Sequence, residues 1–348
     1  MSQDNVKLMN YNDIKKIGRE HNLYETDELN EVLYLHMKGF HNIDGLDTFI
    51  NLKCLFLNNN CIKKIDNLNN LVNLKALYLQ NNDISTIENI TCTSLVILNL
   101  SNNKIKTLDN IQHLKLLQTL NISNNLIETK FKYIYVNLFF KDIEQISVLE
   151  NLSHLDISNN LIQFNNNIEK PNNHIQDFTH DYNNDQFLIE NSATEIGKDF
   201  LQNNEICYML NFYNNFNDEI NKEEICPSVK YHKNIKDMDE LTKLKFYFLR
   251  EFIIFIKKIK KLKTLFIKNN PFISQIRHVS KYVIANIPTL VFLDDKKIKK
   301  EDICLARIFL KKGIREENEL KKIFEKKKMD KYKNLSQKYH SFLMNKKL

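Results

Sequence analysis

From Leu52 onward the chain repeats itself with a period of about 22 residues. Leu52-x-x-Leu55-x-Leu57-x-x-Asn60-x-Ile62-x-x-Ile65-x-x-Leu68 returns as Leu74-x-x-Leu77-x-Leu79-x-x-Asn82-x-Ile84-x-x-Ile87-x-x-Ile90. It returns again from Leu95 (Leu98, Leu100, Asn103, Ile105, Leu108, Ile111) and from Leu117 (Leu120, Ile122, Asn125, Ile127). The asparagines are 22, 21 and 22 residues apart. Agreement at so many fixed positions in four consecutive windows demands a stack of equal units, each a single supersecondary element.

The chemistry of one unit predicts its shape. The Leu-x-Leu pair reads as a short strand with both leucines pointing inward. The asparagine turns the chain, and its amide can satisfy backbone groups that a tight turn leaves unpaired, a loss worth about 1–3 kcal/mol each if unmet. The Ile-x-x-Ile-x-x-Leu stretch returns along the far side as a helical or 3₁₀ segment. A unit this small cannot bury its own apolar face, so neighbours must stack into one cooperative array. The expected fold is an α/β leucine-rich-repeat solenoid of about seven repeats of ~22 residues, with its parallel strands on the concave face.

The edges and interruptions follow from the register. Upstream, Leu33-Tyr34-Leu35 with Phe40, Ile43 and Leu46 fits, but Lys38 stands in the asparagine position and Asn30 in that of the first leucine. Such degeneracy belongs to a terminal repeat, and residues 1–28 are expected to hold a capping helix, over Leu8–His21. Downstream, Leu152-x-x-Leu155-x-Ile157-x-x-Asn160-x-Ile162 arrives 35 residues after Asn125, so an insert of about 130–142 bulges from the repeats at 29–162. The next asparagine, in Leu262-x-x-Leu265-x-Ile267-x-x-Asn270-Pro271, lies 110 residues on. Residues 163–250 therefore form a polar, Asn-rich insert without sustained period, expected to be mostly disordered, with one short aromatic stretch at Ile206–Phe216. Residues 251–295 carry the last repeat and a closing cap ending in Asp294-Asp295, whose acidic pair reads as structural capping. Residues 296–348 form a basic tail, in which Glu301–Leu348 predicts one long helix with a basic outer face, a coiled-coil candidate.

Composition sharpens what the array does. The net charge is +7, yet Lys296–Leu348 holds 18 Lys and Arg against 7 Asp and Glu, leaving about −4 on the remainder. The basic character is that of the tail, where a solvated lysine face competes with docking to an acidic partner, and interleaved aromatics are too few to favour nucleic acid. Six cysteines (54, 61, 92, 207, 226 and 304) show no CxxC spacing and the N-terminus is polar, so free thiols in a reducing, cytoplasmic setting are expected. The most apolar run, Phe246–Ile256, is broken by Arg250 and Glu251 and is too short for a membrane span. Zinc-protease, nucleophile-elbow and phosphate-loop signatures are missing, five glycines cannot build a phosphate cradle, and ten histidines show no ligand spacing. No enzyme, cofactor, metal or small-molecule substrate is expected.

Binding is expected instead, on the outward strand positions. The residue inside each Leu-x-Leu pair is Tyr34, Phe56, Tyr78, Asn99, Asn121, Asp156 and Phe266 in chain order, and the next row includes His36, Asn58 and Gln80. Neighbouring strands stand about 4.8 Å apart, so Tyr34, Phe56 and Tyr78 should form an aromatic stripe. Exposed aromatics favour a partner protein, although a helix or the long insert folding over them is the alternative.

The entry block is more specific than the repeat. His21-Asn22-Leu23-Tyr24-Glu25-Thr26-Asp27-Glu28-Leu29-Asn30-Glu31-Val32-Leu33-Tyr34-Leu35-His36-Met37-Lys38-Gly39-Phe40 resembles the start of the repeats in the dynein axonemal assembly factor 1 family. The likeness continues through Leu52–Leu57 and Ile143–Ile157 and ends at Asn270-Pro271-Phe272, Tyr282, Ile287-Pro288 and Leu293-Asp294-Asp295. It implies a non-catalytic cytoplasmic adaptor for preassembly of the dynein arms of cilia or flagella. It also implies partners among axonemal dynein chains, other assembly factors and chaperones. The repeats themselves leave open a phosphatase regulatory subunit, or a structural axonemal or spliceosomal adaptor. The large insert, and a chain end soon after the tail helix, depart from the family pattern.

Overall fold

A computed structural model describes residues 6–128, 145–163 and 240–345. Cα packing divides the chain into a unit of Met1–Phe164 with Lys245–Leu348 and a second of Asn165–Leu244, and the architecture below is that of the first. The bulge at 130–142, the expected disorder of the long insert and the stretch Ile206–Phe216 lie outside the described residues.

The Leu-x-Leu pairs form strands of three residues each: β1 (Val32–Tyr34), β2 (Cys54–Phe56), β3 (Ala76–Tyr78), β4 (Ile97–Asn99), β5 (Thr119–Asn121), β6 (His154–Asp156) and β7 (Thr264–Phe266). With β8 (Phe292–Leu293) and β9 (Lys296–Lys297) they make one sheet in chain order, parallel from β1 to β8 and closed by antiparallel β9. The central leucines 33, 55, 77, 98, 120, 155 and 265 pair in register and are all buried. This is a leucine-rich-repeat solenoid.

Six asparagines hold the stack. The Asn82 amide donates to Leu79 O in its own repeat and to Leu57 O in the preceding one, while its Oδ1 accepts from Ile62 N. Asn60, Asn103, Asn125, Asn160 and Asn270 repeat the arrangement. A second column was not anticipated: Asn67, Asn89 and Asn110, all with positive φ, donate to Ile43 O, Ile65 O and Ile87 O on the return side. The return segments of the early repeats are not helices. They are successive turns closed three residues back, as from Leu71 N to Leu68 O and Leu74 N to Leu71 O, with the apolar ladder buried.

Both ends are capped. At the N-terminus α1 (Tyr11–Glu20) is shorter than the sequence predicts. Asn10 caps it by accepting from Asp13 N, and Ile14 and Ile17 are buried. Asn30 is more than a worn leucine position: it is buried, donates to Tyr24 O, Thr26 O and Asp27 O and accepts from Tyr24 N, which shapes the entry loop. Gly45 has φ +70°, and a Cβ there would stand 2.4 Å from Tyr11 N, so only glycine lets the cap approach.

The last repeat begins earlier than periodicity indicates. Helix α2 (Glu240–Lys258) reaches ten residues before residue 250, and Phe248, Leu249 and Phe252 are buried in the core. The following α3 (Pro271–Gln275) starts on Asn270-Pro271 and sets Phe272 against Phe248 and Phe252, at 5.5 and 5.2 Å between ring centroids. Then come α4 (Val279–Asn286), α5 (Lys300–Lys312) and α6 (Ile314–Asn345). The tail is thus two helices rather than one, because Gly313 at φ +94° breaks the run. Asp294 ends the ladder: its Oδ1 accepts from Ile267 N and Lys268 N, while Asp295 pairs with Lys268, so the acidic pair serves the cap.

Candidate protein-binding face

The seven central strand positions do line one face of the sheet, and that face falls into two chemically different parts. In β1 to β3 the rings of Tyr34 and Phe56 lie 5.1 Å apart at 11°, and those of Phe56 and Tyr78 lie 4.6 Å apart at 2°. In-register pairing of three-residue strands forces this stack, because equivalent side chains leave neighbouring strands side by side. His21 and His36 border Tyr34 at 6.0 and 6.3 Å, His36 edge-on. Tyr34 is 39% exposed and Phe56 and Tyr78 are half-buried. His21, at the C-terminal end of α1, is the cap residue that reaches this stack.

The stacking decides which parts of the rings a partner meets. Parallel rings cover one another's faces and leave their edges outward, where the quadrupole is positive. Such a surface takes aliphatic groups, carbonyl oxygens and the faces of a partner's aromatics, and is a poor platform for cations.

A flanking column enlarges the patch, and sequence reasoning missed it. Val32, Cys54, Ala76 and Ile97 stand one strand position to the other side of the buried leucines, half-buried on the same face. The signal was available, since residues two apart in a strand share a face. Burial pushes the Cys54 thiol up, and burial with the neighbouring Cys54 does the same to the Tyr78 hydroxyl, so both of these groups stay protonated at neutral pH.

From β4 onward the face is polar and largely self-satisfied. Asn99 Oδ1 accepts from Ser101 N, Asn121 Oδ1 from Ser123 N and Oγ, and Asp156 Oδ1 from Ser158 N and Oγ. Phe266 returns an aromatic at β7, separated from Tyr78 by those three strands. In the next row His36, Asn58 and Gln80 are half-buried, and Gln80 Oε1 is enclosed without a hydrogen-bond partner among the described residues. His154 lies exposed at the start of β6, against Ser153.

Among the described residues no three His, Cys, Asp or Glu are placed to hold a metal ion. Nor is any described helix long and apolar enough to cross a membrane.

The family model described as leucine-rich repeats (2 copies) matches residues 50–92. The chain's sequence resembles dynein axonemal assembly factor 1. A homologue of that factor from Anopheles gambiae is 54% identical over 44 residues, 13% of this chain and 5% of the relative. The Rattus norvegicus protein is 46% identical over 44 residues (13% and 7%), and the Homo sapiens protein 43% identical over 49 residues (14% and 7%). The matched stretch thus spans a small fraction of those relatives' length. Among solved structures, an internalin from Listeria monocytogenes aligns with TM-score 0.34 at 24% identity, over 44% of this chain and 46% of that one. A leucine-rich-repeat protein of Leptospira interrogans aligns with TM-score 0.34 at 24% identity, over 40% and 33%.

Proposed function

We propose that this chain is a non-catalytic scaffold that holds a partner protein on the β1–β4 face during cytoplasmic preassembly of axonemal dynein arms. The observation that supports the binding reading is the partly exposed Tyr34–Phe56–Tyr78 stack with its apolar flank. Well-packed aromatic clusters of this kind supply the anchors of protein interfaces. The dynein reading rests on the likeness to dynein axonemal assembly factor 1, through the printed name of those relatives. The partners are accordingly axonemal dynein chains, other assembly factors or chaperones, and no substrate turnover is involved. The protein acts in the cytoplasm of cells that build cilia or flagella. Disruption of the gene in a flagellated stage, followed by electron microscopy of axonemes in cross-section, tests this. Loss of outer or inner arms is the expected result, and a full set of arms overturns the dynein assignment.

A further inference from the structure

The exposed half of α6 has the composition of a surface waiting for a second helix. This 32-residue helix, about 48 Å long at 1.5 Å per residue, is tied to the other described residues near its start. There the nearly buried Glu317 pairs with Lys281, whose ammonium also lies 4.1 Å from the Phe309 ring centre on α5. Beyond it, Met329, Tyr332, Leu335 and Tyr339 are 58% to 65% exposed. Steps of three, three and four residues place the last three on one stripe, with Tyr332 and Tyr339 a full heptad apart and Leu335 between them. Lys331 and Lys338 occupy the positions just before each tyrosine, where flanking charges select the partner strand in a two-helix coil. From Lys321 to Tyr339 the helix carries eight lysines against Glu325 and Asp330, a balance of +6.

These features name the occupant. A second copy of α6 would set +6 against +6 in either orientation, so self-pairing is opposed by like charge. A membrane-surface helix needs a broad apolar face, whereas this stripe is one seam wide and two of its members carry hydroxyls. We propose that the Tyr332–Tyr339 stripe is a docking seam for an acidic amphipathic helix of another protein, forming a two-stranded coiled coil whose glutamates or aspartates meet Lys331 and Lys338. This seam is independent of the β1–β4 face.

The test uses the full chain and a synthetic 28-residue helix with leucine at the heptad core positions and glutamate at the flanking positions. Fluorescence anisotropy of the labelled peptide should report one-to-one binding, weakened by added salt. The charge-preserving variant Tyr332→Ala/Leu335→Ala/Tyr339→Ala should weaken binding by about tenfold or more, with unchanged circular dichroism. Equal binding of that variant, or of polyglutamate in place of the peptide, would reduce the effect to bulk charge and overturn the proposal. So would self-association of the full chain through α6, or flotation with phosphatidylcholine–phosphatidylserine vesicles without peptide binding.

Discussion

Replacing Asn82 by alanine tests the ladder that makes the repeats one body. The substitution removes the acceptor for Ile62 N, which is buried and has no other hydrogen bond among the described residues, at about 1–3 kcal/mol for one orphaned donor. The two carbonyls that Asn82 serves keep one donor each, Leu57 O from Asn60 and Leu79 O from Asn103, so their loss adds less. Together the cost is about 2–4 kcal/mol, well above that of an ordinary surface change. Asn82→Asp is the sharper variant. It keeps the acceptor for Ile62 N but turns a carboxylate toward Leu57 O and Leu79 O, so it should destabilise at least as much as alanine. Asp294 tolerates a carboxylate because its Oδ1 only accepts, from Ile267 N and Lys268 N. Asp294→Asn should therefore cost little. Urea unfolding of the three variants, followed by circular dichroism, measures all of this. An Asn82→Asp protein as stable as the unaltered chain would refute the reasoning.

Three further outcomes follow from other parts of the chain. Gly45→Ala should release the N-terminal cap, because left-handed φ disfavours alanine by about 1–2 kcal/mol and its Cβ would stand 2.8 Å from Asn10 C; faster hydrogen exchange at Ile14 and Ile17 would show it, and unchanged protection would contradict it. Burial works to raise the Asp27 carboxyl, but hydrogen bonds from Lys15, Thr48 and Tyr11 outweigh it and hold the group below the usual carboxylate range. The cap should thus be stable above that range and loosen as pH falls through the lowered value, and Asp27→Asn should flatten this dependence in an exchange experiment run across acid pH. Burial pushes the Cys92 thiol up to about 11, while Cys304 is exposed. Peptide mapping after brief iodoacetamide treatment should therefore find label on Cys304 and none on Cys92 until denaturant is added.

The array was legible because its determinants are periodic. A leucine every 22 residues, an asparagine at one offset and a row between the leucines translate into stacked strands and an aromatic stack without further information. What escaped was set by contacts across distance. The buried residues of α2 follow helical spacing, Phe248, Leu249 and Phe252, whereas a search for the three-residue ladder begins at Ile253 and so starts the last repeat late. Asn30 looks like a worn leucine until its four hydrogen bonds to the entry loop are seen. Gly313 divides the tail although both flanks read as helix. On the candidate face, the tyrosines and phenylalanine stand out in the sequence by size, and the smaller Val32, Cys54 and Ala76 beside them do not.

The proposed function places the partner protein on the aromatic face of β1 to β3. Complementing the gene disruption with Tyr34→Ala/Phe56→Ala/Tyr78→Ala measures it directly, because these side chains project from the sheet and their loss leaves the leucine core in place. A variant that accumulates normally in cytosol yet leaves axonemes short of dynein arms is the predicted result. Arms restored to the number seen with the unaltered gene would contradict it.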